Sequence, residues 1–183
     1  MAKVNKVAYD PEKVDWKKLC DFGNHLKIFK PTPEKVEHIF QHLLKGYLNM
    51  SDEFRQPTII GNLLQYYFVP RNDKFHLFYE INNFAGIIGF TDISIGYKAS
   101  LLFKFWDKSK KQFNIVTFRE IDRLLSYVMK TFDLKRLSFS TPDKNGEDLA
   151  KKFGFTVEGT QKYGFLWNSK LRTNINMRLL REV

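Results

Sequence analysis

Aromatic and basic side chains alternate near the middle of the chain. The stretch 103–113 interleaves Phe103, Phe105, Trp106 and Phe113 with lysines at positions 104, 108, 110 and 111. Aromatic rings can stack on bases while lysines neutralise phosphates, so this pattern is typical of a surface that binds single-stranded nucleic acid. The same spacing is also typical of a strand that buries its aromatic side chains, and this interpretation is the favoured one. Nucleic acid stays the alternative partner that this stretch suggests.

Two histidines and one cysteine are the next residues with chemical potential. His38 and His42 stand four residues apart on a predicted helix, a spacing that can hold a metal ion. Zinc needs three or four protein ligands, and the sequence offers no HExxH glutamate and no third ligand, so no metal is expected. Cys20 is the single cysteine. It excludes an internal disulfide and a multi-cysteine zinc site, and it favours a reducing compartment, the cytoplasm.

Composition sets limits on the partners and the compartment. The chain has 183 residues, which points to one domain, and it is 43% hydrophobic, too apolar for a disordered chain. Its formal charge of +10 is typical of a protein with an anionic partner, and it is equally typical of a surface whose charges serve only solubility. No apolar run approaches ~18 residues, so neither a membrane-spanning helix nor a membrane partner is expected. The first residues lack the apolar segment of a secretory signal.

The N-terminal part of the chain is predicted to be partly irregular and then helical. Residues 1–26 are expected to form an extension that packs on the domain. An alternating segment at 25–30 predicts a strand. Thr32 and Pro33 then predict the start of a helix, because threonine caps the helix and proline needs no N–H partner in the first turn. A second helix is predicted over about 53–67.

The remainder of the chain predicts a sheet with two further helices. Strands are predicted over 75–81, 84–95, 99–106, 135–140, 155–165 and 173–180, and helices over 116–132 and 146–153. Asn82 and Asn83 predict a hairpin turn because asparagine tolerates positive φ. Gly86 and Gly89 predict a bulge or a close backbone approach. The order predicts an α/β fold (α+β in the broad sense), with a mixed, mostly antiparallel sheet flanked by about four helices.

That order and several short motifs resemble a known superfamily, the GNAT acyl-CoA-dependent N-acyltransferases. The motifs follow one another over some forty residues: Arg136-Leu137, Asn145, Lys152-Phe153-Gly154-Phe155 and Glu158-Gly159. They resemble the branch that acetylates the N-termini of ribosomal proteins. The segment Ile87-Ile88-Gly89-Phe90 is similar to another strand of the family. The resemblance covers about residues 27–182 and implies one GNAT-like domain over residues 27–183.

The resemblance implies that acetyl-CoA is the co-substrate and indicates where it binds. Family members hold its pyrophosphate on the backbone of a glycine-rich loop before the central helix, with the helix N-terminus behind it. By register, the residues at this loop are Lys110, Lys111, Gln112, Phe113 and Asn114. Gln112 and Asn114 replace glycines, and asparagine is the residue that tolerates positive φ best after glycine. Phe105, Trp106 and Asn145 are expected to bound the site, with Asn145 either pairing with the cofactor or capping the short helix.

The catalytic residues are predicted less specifically. Acyl transfer needs a neutral amine, a base or water that accepts its proton, and a proton donor for the leaving thiolate. Glu80, Asp92 and Asp107 lie on or after the central strands and are candidate bases, with solvated surface carboxylates as the other interpretation. Asp148, which stands where the ribosomal branch often has serine, is a fourth candidate. Ala150 stands where many members have a tyrosine donor.

Two functions follow from these observations. The first is acetyl transfer from acetyl-CoA to an amine of a protein or a small molecule, without a covalent enzyme intermediate. The second is a GNAT-like domain that has lost catalysis and binds nucleic acid or a larger assembly through its basic surface. Binding of acetyl-CoA distinguishes the two functions.

Overall fold

Seven strands and three helices form the part of the chain that the computed structural model describes, residues 18–19, 22–44, 75–106, 114–167 and 170–180. The strands are β1 (Leu26–Ile28), β2 (Phe75–Ile81), β3 (Gly86–Ser94), β4 (Lys98–Phe105), β5 (Arg136–Thr141), β6 (Thr156–Trp167) and β7 (Lys170–Leu180). The helices are α1 (Pro33–Leu44), α2 (Ile115–Thr131) and α3 (Lys144–Lys152).

Most predicted elements are confirmed within two residues of their ends, and the largest differences toward an earlier start are those of α3 and β7. Helix α3 begins at Lys144 rather than 146, because the Asp143 carboxylate accepts a hydrogen bond from the backbone N–H of Gly146, at 2.7 Å, and caps the helix. Strand β7 begins at Lys170 rather than 173. The predicted helix over 53–67 lies outside the described residues.

The sheet is mixed and mostly antiparallel, as predicted. Its order is β1-β2-β3-β4-β5-β7-β6. All neighbouring strands are antiparallel except β4 and β5, which are joined by the α2 crossover and run parallel. Because β7 lies between β5 and β6, the last two strands form a long hairpin at the edge of the sheet.

Helices cover the two faces of the sheet unequally. The main core lies between the sheet and α2, whose residues Ile121, Leu124 and Leu125 are almost fully buried. Helix α1 covers the opposite face, where Val36 and Ile39 pack in a smaller core cluster with residues of β2 and β3. Apolar residues at helical spacing therefore lie on the buried side of both helices.

The residues around the first hairpin are closely packed. A Cβ atom on Gly89 would lie 2.4 Å from the ring of Phe78, which confirms the predicted close approach. The irregular register of β3 falls later, between Thr91 and Ser94. The predicted turn after β2 is also confirmed, with φ of 48° at Asn82 and 54° at Asn83.

None of the described helices is long and apolar enough to cross a membrane.

Candidate functional site

The two parallel strands at the centre of the sheet separate along their length. Strands β4 and β5 pair only where Lys98–Leu101 lies beside Arg136–Phe139. Beyond that point, Leu102–Phe105 pairs with β3 alone, while the end of β5 pairs with β7 alone. We call the opening between Leu102–Phe105 and the end of β5 the gap.

The gap leaves one side of a strand open. A strand in the middle of a sheet uses the backbone groups on both of its sides, whereas Leu102–Phe105 has a strand partner on one side only. Backbone N–H and C=O groups on the open side can bond to a ligand that carries amide groups of its own. The carboxyl end of a strand in an open α/β sheet is also where ligands commonly bind.

Helix α2 begins beyond the end of β4 and is capped by its own side chain. The Asn114 amide oxygen accepts hydrogen bonds from the backbone N–H groups of Val116 and Thr117, both at 2.9 Å. Asn114 has φ of −108°, so its backbone is extended and does not use the tolerance for positive φ. The positive end of the α2 dipole remains, but two of its first N–H groups already have an acceptor.

The aromatic residues at the end of β4 have different surroundings. Phe105 belongs to the open part of the strand, and its half-buried ring packs edge-on against Phe103, with 5.1 Å between ring centroids. Trp106 turns to the α1 face of the sheet. Its indole N–H donates to the carbonyl oxygen of Phe84, and the centroids of the Trp106 and Phe84 rings are 4.8 Å apart. Trp106 therefore does not fill the gap.

These contacts also decide between the two interpretations of the aromatic stretch. Phe103 and Phe105 pack against the main core, and Trp106 packs against the smaller core cluster. The core interpretation is confirmed for these three residues, so their rings are not a free surface on which bases stack. The predicted cofactor residues Lys110, Lys111, Gln112 and Phe113 lie outside the described residues.

Asn145 is exposed on the first turn of α3, which follows the end of β5. The expectation that Asn145 caps this helix is wrong, because the cap is Asp143. The helix therefore does not need the Asn145 amide for its start. Its role toward the cofactor stays a prediction.

Of the candidate bases that the structure describes, two are engaged in ion pairs and one lies beside the closed part of β4. Glu80 forms an ion pair with Lys35 of α1, and Asp148 forms an exposed ion pair with Lys144, with 2.8 Å between the charged atoms. Asp92 follows Thr91, which pairs with Ser100, so Asp92 lies beside the closed part of β4. Asp107 lies outside the described residues. Ala150 is buried in the main core.

A buried carboxylate on α2 is not among the predicted residues. Glu120 accepts a hydrogen bond from the backbone N–H of His25 at 3.0 Å, and the imidazole Nδ1 lies 3.1 Å from its other oxygen. The pair attaches the segment before β1 to α2. Since β1 is three strands from β4 in the sheet, this pair lies away from the gap. The sequence indicates the burial of Glu120 only through its position beside the apolar residues of α2.

The fold is similar to that of several solved acetyltransferases, although no protein-family model and no curated protein matches the sequence. A spermidine N-acetyltransferase from Vibrio cholerae, bound to CoA and spermine, is 18% identical, with a TM-score of 0.60; the match covers 86% of this chain and 96% of that one. An acetyltransferase from Salmonella typhimurium that modifies the N-terminal serine of a ribosomal protein is 15% identical, with a TM-score of 0.60; 89% of this chain and 99% of that one are covered.

A microcin self-immunity acetyltransferase, bound to acetyl-CoA and AMP, gives a third similarity. It is 15% identical, with a TM-score of 0.61, and the match covers 87% of this chain and 94% of that one. All three structures are GNAT acetyltransferases. The similarity spans nearly the full length of each and agrees with the parallel pair β4 and β5 at the centre of this sheet. The chain therefore has the GNAT fold, the fold that its sequence motifs resemble.

Proposed function

We propose that this chain is an acyl-CoA-dependent N-acyltransferase that transfers an acetyl group from acetyl-CoA to an amine of a protein or a small molecule. The gap between β4 and β5 carries the proposal. Leu102–Phe105 has a strand partner on one side only, and this edge would pair with the amide-containing arm of acetyl-CoA. Similar folds that bind CoA or acetyl-CoA support the same ligand.

The ends of the gap suit the two ends of the cofactor. The basic segment with Lys110 and Lys111 precedes α2 in the sequence and would hold the pyrophosphate together with the positive end of that helix. Asn145 is exposed at the start of α3, where its amide would pair with the pantetheine arm. These assignments place the thioester near the open ends of β4 and β5.

The reaction needs a neutral amine held beside the thioester. The amine nitrogen attacks the carbonyl carbon, a C–N bond forms, and the C–S bond breaks. The amine loses one proton to water or a base, and the departing sulfur gains one proton. Asp107 remains a candidate base, whereas Glu80 and Asp148 are engaged in ion pairs. With alanine at position 150, the expected proton donor to the thiolate is water.

The proposal is tested by thermal unfolding with acetyl-CoA and by release of CoA thiol in the presence of amines. Acetyl-CoA at 100 times its Kd is expected to stabilise the folded state by about 2.7 kcal/mol. Replacing both Lys110 and Lys111 by glutamate is expected to weaken binding steeply, since like charges would then face the pyrophosphate. The control replaces the exposed Lys152 and Lys162 by glutamate, which changes the net charge equally.

Two results would count against the proposal. If millimolar acetyl-CoA does not stabilise the folded state, the enzyme function is rejected. The alternative function, a GNAT-like binding domain that has no catalytic activity, then remains. Binding that is equally strong in both double variants would reject the placement of the pyrophosphate on the basic segment.

A further inference from the structure

The face of the sheet opposite α2 and α3 is polar where it is formed by β5, β6 and β7. Leu137 and Met177 are buried in the main core. Since side chains alternate along a strand, their neighbours on β5 and β7 point to the other face. There they line an open cavity of about 350 Å³. We call it the polar cavity; its lining side chains include Arg136, Ser138, Ser140, Glu158, Thr160 and Asn176.

Arg136 and Glu158, which line the polar cavity, form a cluster with Arg178 of β7, and the three side chains together carry one net positive charge. Glu158 accepts a hydrogen bond from Arg136 and another from Arg178, the latter at 3.1 Å. One carboxylate therefore accepts hydrogen bonds from two guanidinium groups. The Nε atom of Arg136 also donates to the hydroxyl oxygen of Ser138 at 3.0 Å, which fixes the plane of the guanidinium. A fixed guanidinium loses little side-chain entropy when it binds an anion.

Asn176 adds donors to the same cavity. Its side-chain oxygen accepts hydrogen bonds from the Ser140 hydroxyl, at 2.9 Å, and from the Asn174 amide, at 3.2 Å. Both bonds use the oxygen, so the NH₂ group of Asn176 keeps its two hydrogens for another acceptor. Within the described part of the chain, the buried Nε of Arg178 also has no acceptor. Among the described residues the buried Oδ1 of Asn174 has no donor in turn, so one unpaired acceptor stands beside these unpaired donors; the donors outnumber it, which suits an anion.

We propose that the polar cavity binds an anionic group, a carboxylate or a phosphate, of the amine acceptor. That the bound ligand is the amine acceptor rests on the proposed function. Strand β5 connects the two places, because Ser140 lines the cavity and follows Phe139, the last residue of β5 that pairs with β4. An acceptor held in the cavity by its anionic end can extend its amine along β5 into the gap.

Binding of inorganic phosphate and of acetate, measured by calorimetry, tests the cavity directly. The decisive variant is Asn176→Asp. Its carboxylate still accepts from Ser140 and Asn174, but the NH₂ donors become a charged acceptor that repels an anion. We expect at least about tenfold weaker binding of the preferred ion. The matched control is Asn83→Asp, which adds the same charge in an exposed turn.

The preferred ion then guides a kinetic experiment with acetyl-CoA. If phosphate binds better, 2-aminoethyl phosphate is compared with ethanolamine; if acetate binds better, β-alanine is compared with its amide. We expect at least about tenfold higher kcat/KM for the anionic acceptor, and we expect Asn176→Asp to abolish this preference.

The outcomes separate this inference from the proposed function. If neither ion binds, or if Asn176→Asp binds both as the unchanged chain does, the cavity is not an anion site and the inference is overturned, even where acetyl-CoA binds. Equal kcat/KM for the charged and neutral acceptors overturns the acceptor role. If the ions bind at Asn176 but acetyl-CoA does not bind, the proposed function fails while the anion site stands.

Discussion

Asn114 limits how the start of α2 can bind a phosphate. A glycine at this position would leave the N–H groups of Val116 and Thr117 without a side-chain acceptor, whereas the asparagine oxygen occupies both. A pyrophosphate would have to displace that oxygen or rely on the dipole and the basic segment. The asparagine at position 114 therefore makes a helix cap of two N–H groups that a glycine would leave available to an anion.

Replacing Asn114 by glycine is expected to strengthen CoA binding about fivefold or more. The reason is that two N–H groups become available to the pyrophosphate, while glycine at the cap costs the helix only a few tenths of a kcal/mol. Asn114→Ala frees the same groups at a larger cost to stability and serves as the control. CoA affinity measured by calorimetry that stays unchanged or falls in both variants would place the pyrophosphate elsewhere.

Two neighbouring residues of α3 are expected to differ in their effects. Asp143→Ala removes the helix cap and is expected to lower the free energy of unfolding by about 1 kcal/mol. Asn145→Ala is expected to leave stability unchanged and to weaken CoA binding by about 1–2 kcal/mol, through the loss of one paired amide. Urea unfolding and calorimetry measure the two effects. An Asn145→Ala variant with full CoA affinity would remove this residue from the site.

At the scale of single elements, the ion pairs on α3 predict a dependence on pH. The pKa of Glu147 is lowered by hydrogen bonds from Lys151 and then Lys144. A lowered pKa means that the stabilisation is complete above the unfolded pKa of about 4.3 and is lost as the pH falls through the folded pKa. The pKa of Lys144 is raised, first by Asp148, so its contribution is lost at the alkaline end.

The Glu147→Gln variant is therefore expected to be less stable than the unchanged chain at neutral pH. The difference in the free energy of unfolding is expected to shrink as the pH falls below about 4, where the glutamate becomes protonated and resembles glutamine. Urea unfolding at several pH values measures it, and high salt is expected to reduce it. A difference that persists at low pH would assign the effect to packing instead.

Helix α2 allows a test of the buried face that the sequence predicts. Leu125 is 1% exposed, and Leu125→Ala is expected to lower the free energy of unfolding by about 2–5 kcal/mol. Arg123 is exposed on the same helix, and Arg123→Ala is expected to change stability by less than about 0.5 kcal/mol. Equal losses in urea unfolding would mean that the buried face of α2 is misassigned.

Sequence patterns predicted the elements better than they predicted the site. Apolar spacing located α2 and the strands because burial governs their pattern over many residues. The start of α3 was missed because one hydrogen bond from Asp143 decides it. The polar cavity was missed because its residues come from β5, β6 and β7, and only the order of the strands brings them together.

At the scale of the whole molecule, the gap is a consequence of topology. The single parallel pair lies between two antiparallel groups, β1 to β4 and β5 to β7, and only four residues of β4 pair with β5. Each group is held together by its own register, so the two can diverge at one end without losing pairs inside either group. The gap follows from the register of the whole sheet and has no local sequence motif.

The most direct test of the central claim is an NMR titration of the isotope-labelled chain with acetyl-CoA, followed at the backbone amides. We expect saturable shifts that concentrate at Leu102–Phe105 of β4, at the end of β5 and at the first turn of α2, with small shifts at β1 and at the hairpin of β6 and β7. Absence of saturable shifts at millimolar acetyl-CoA, or shifts that avoid both sides of the gap, would contradict the proposal that this chain binds acetyl-CoA between β4 and β5.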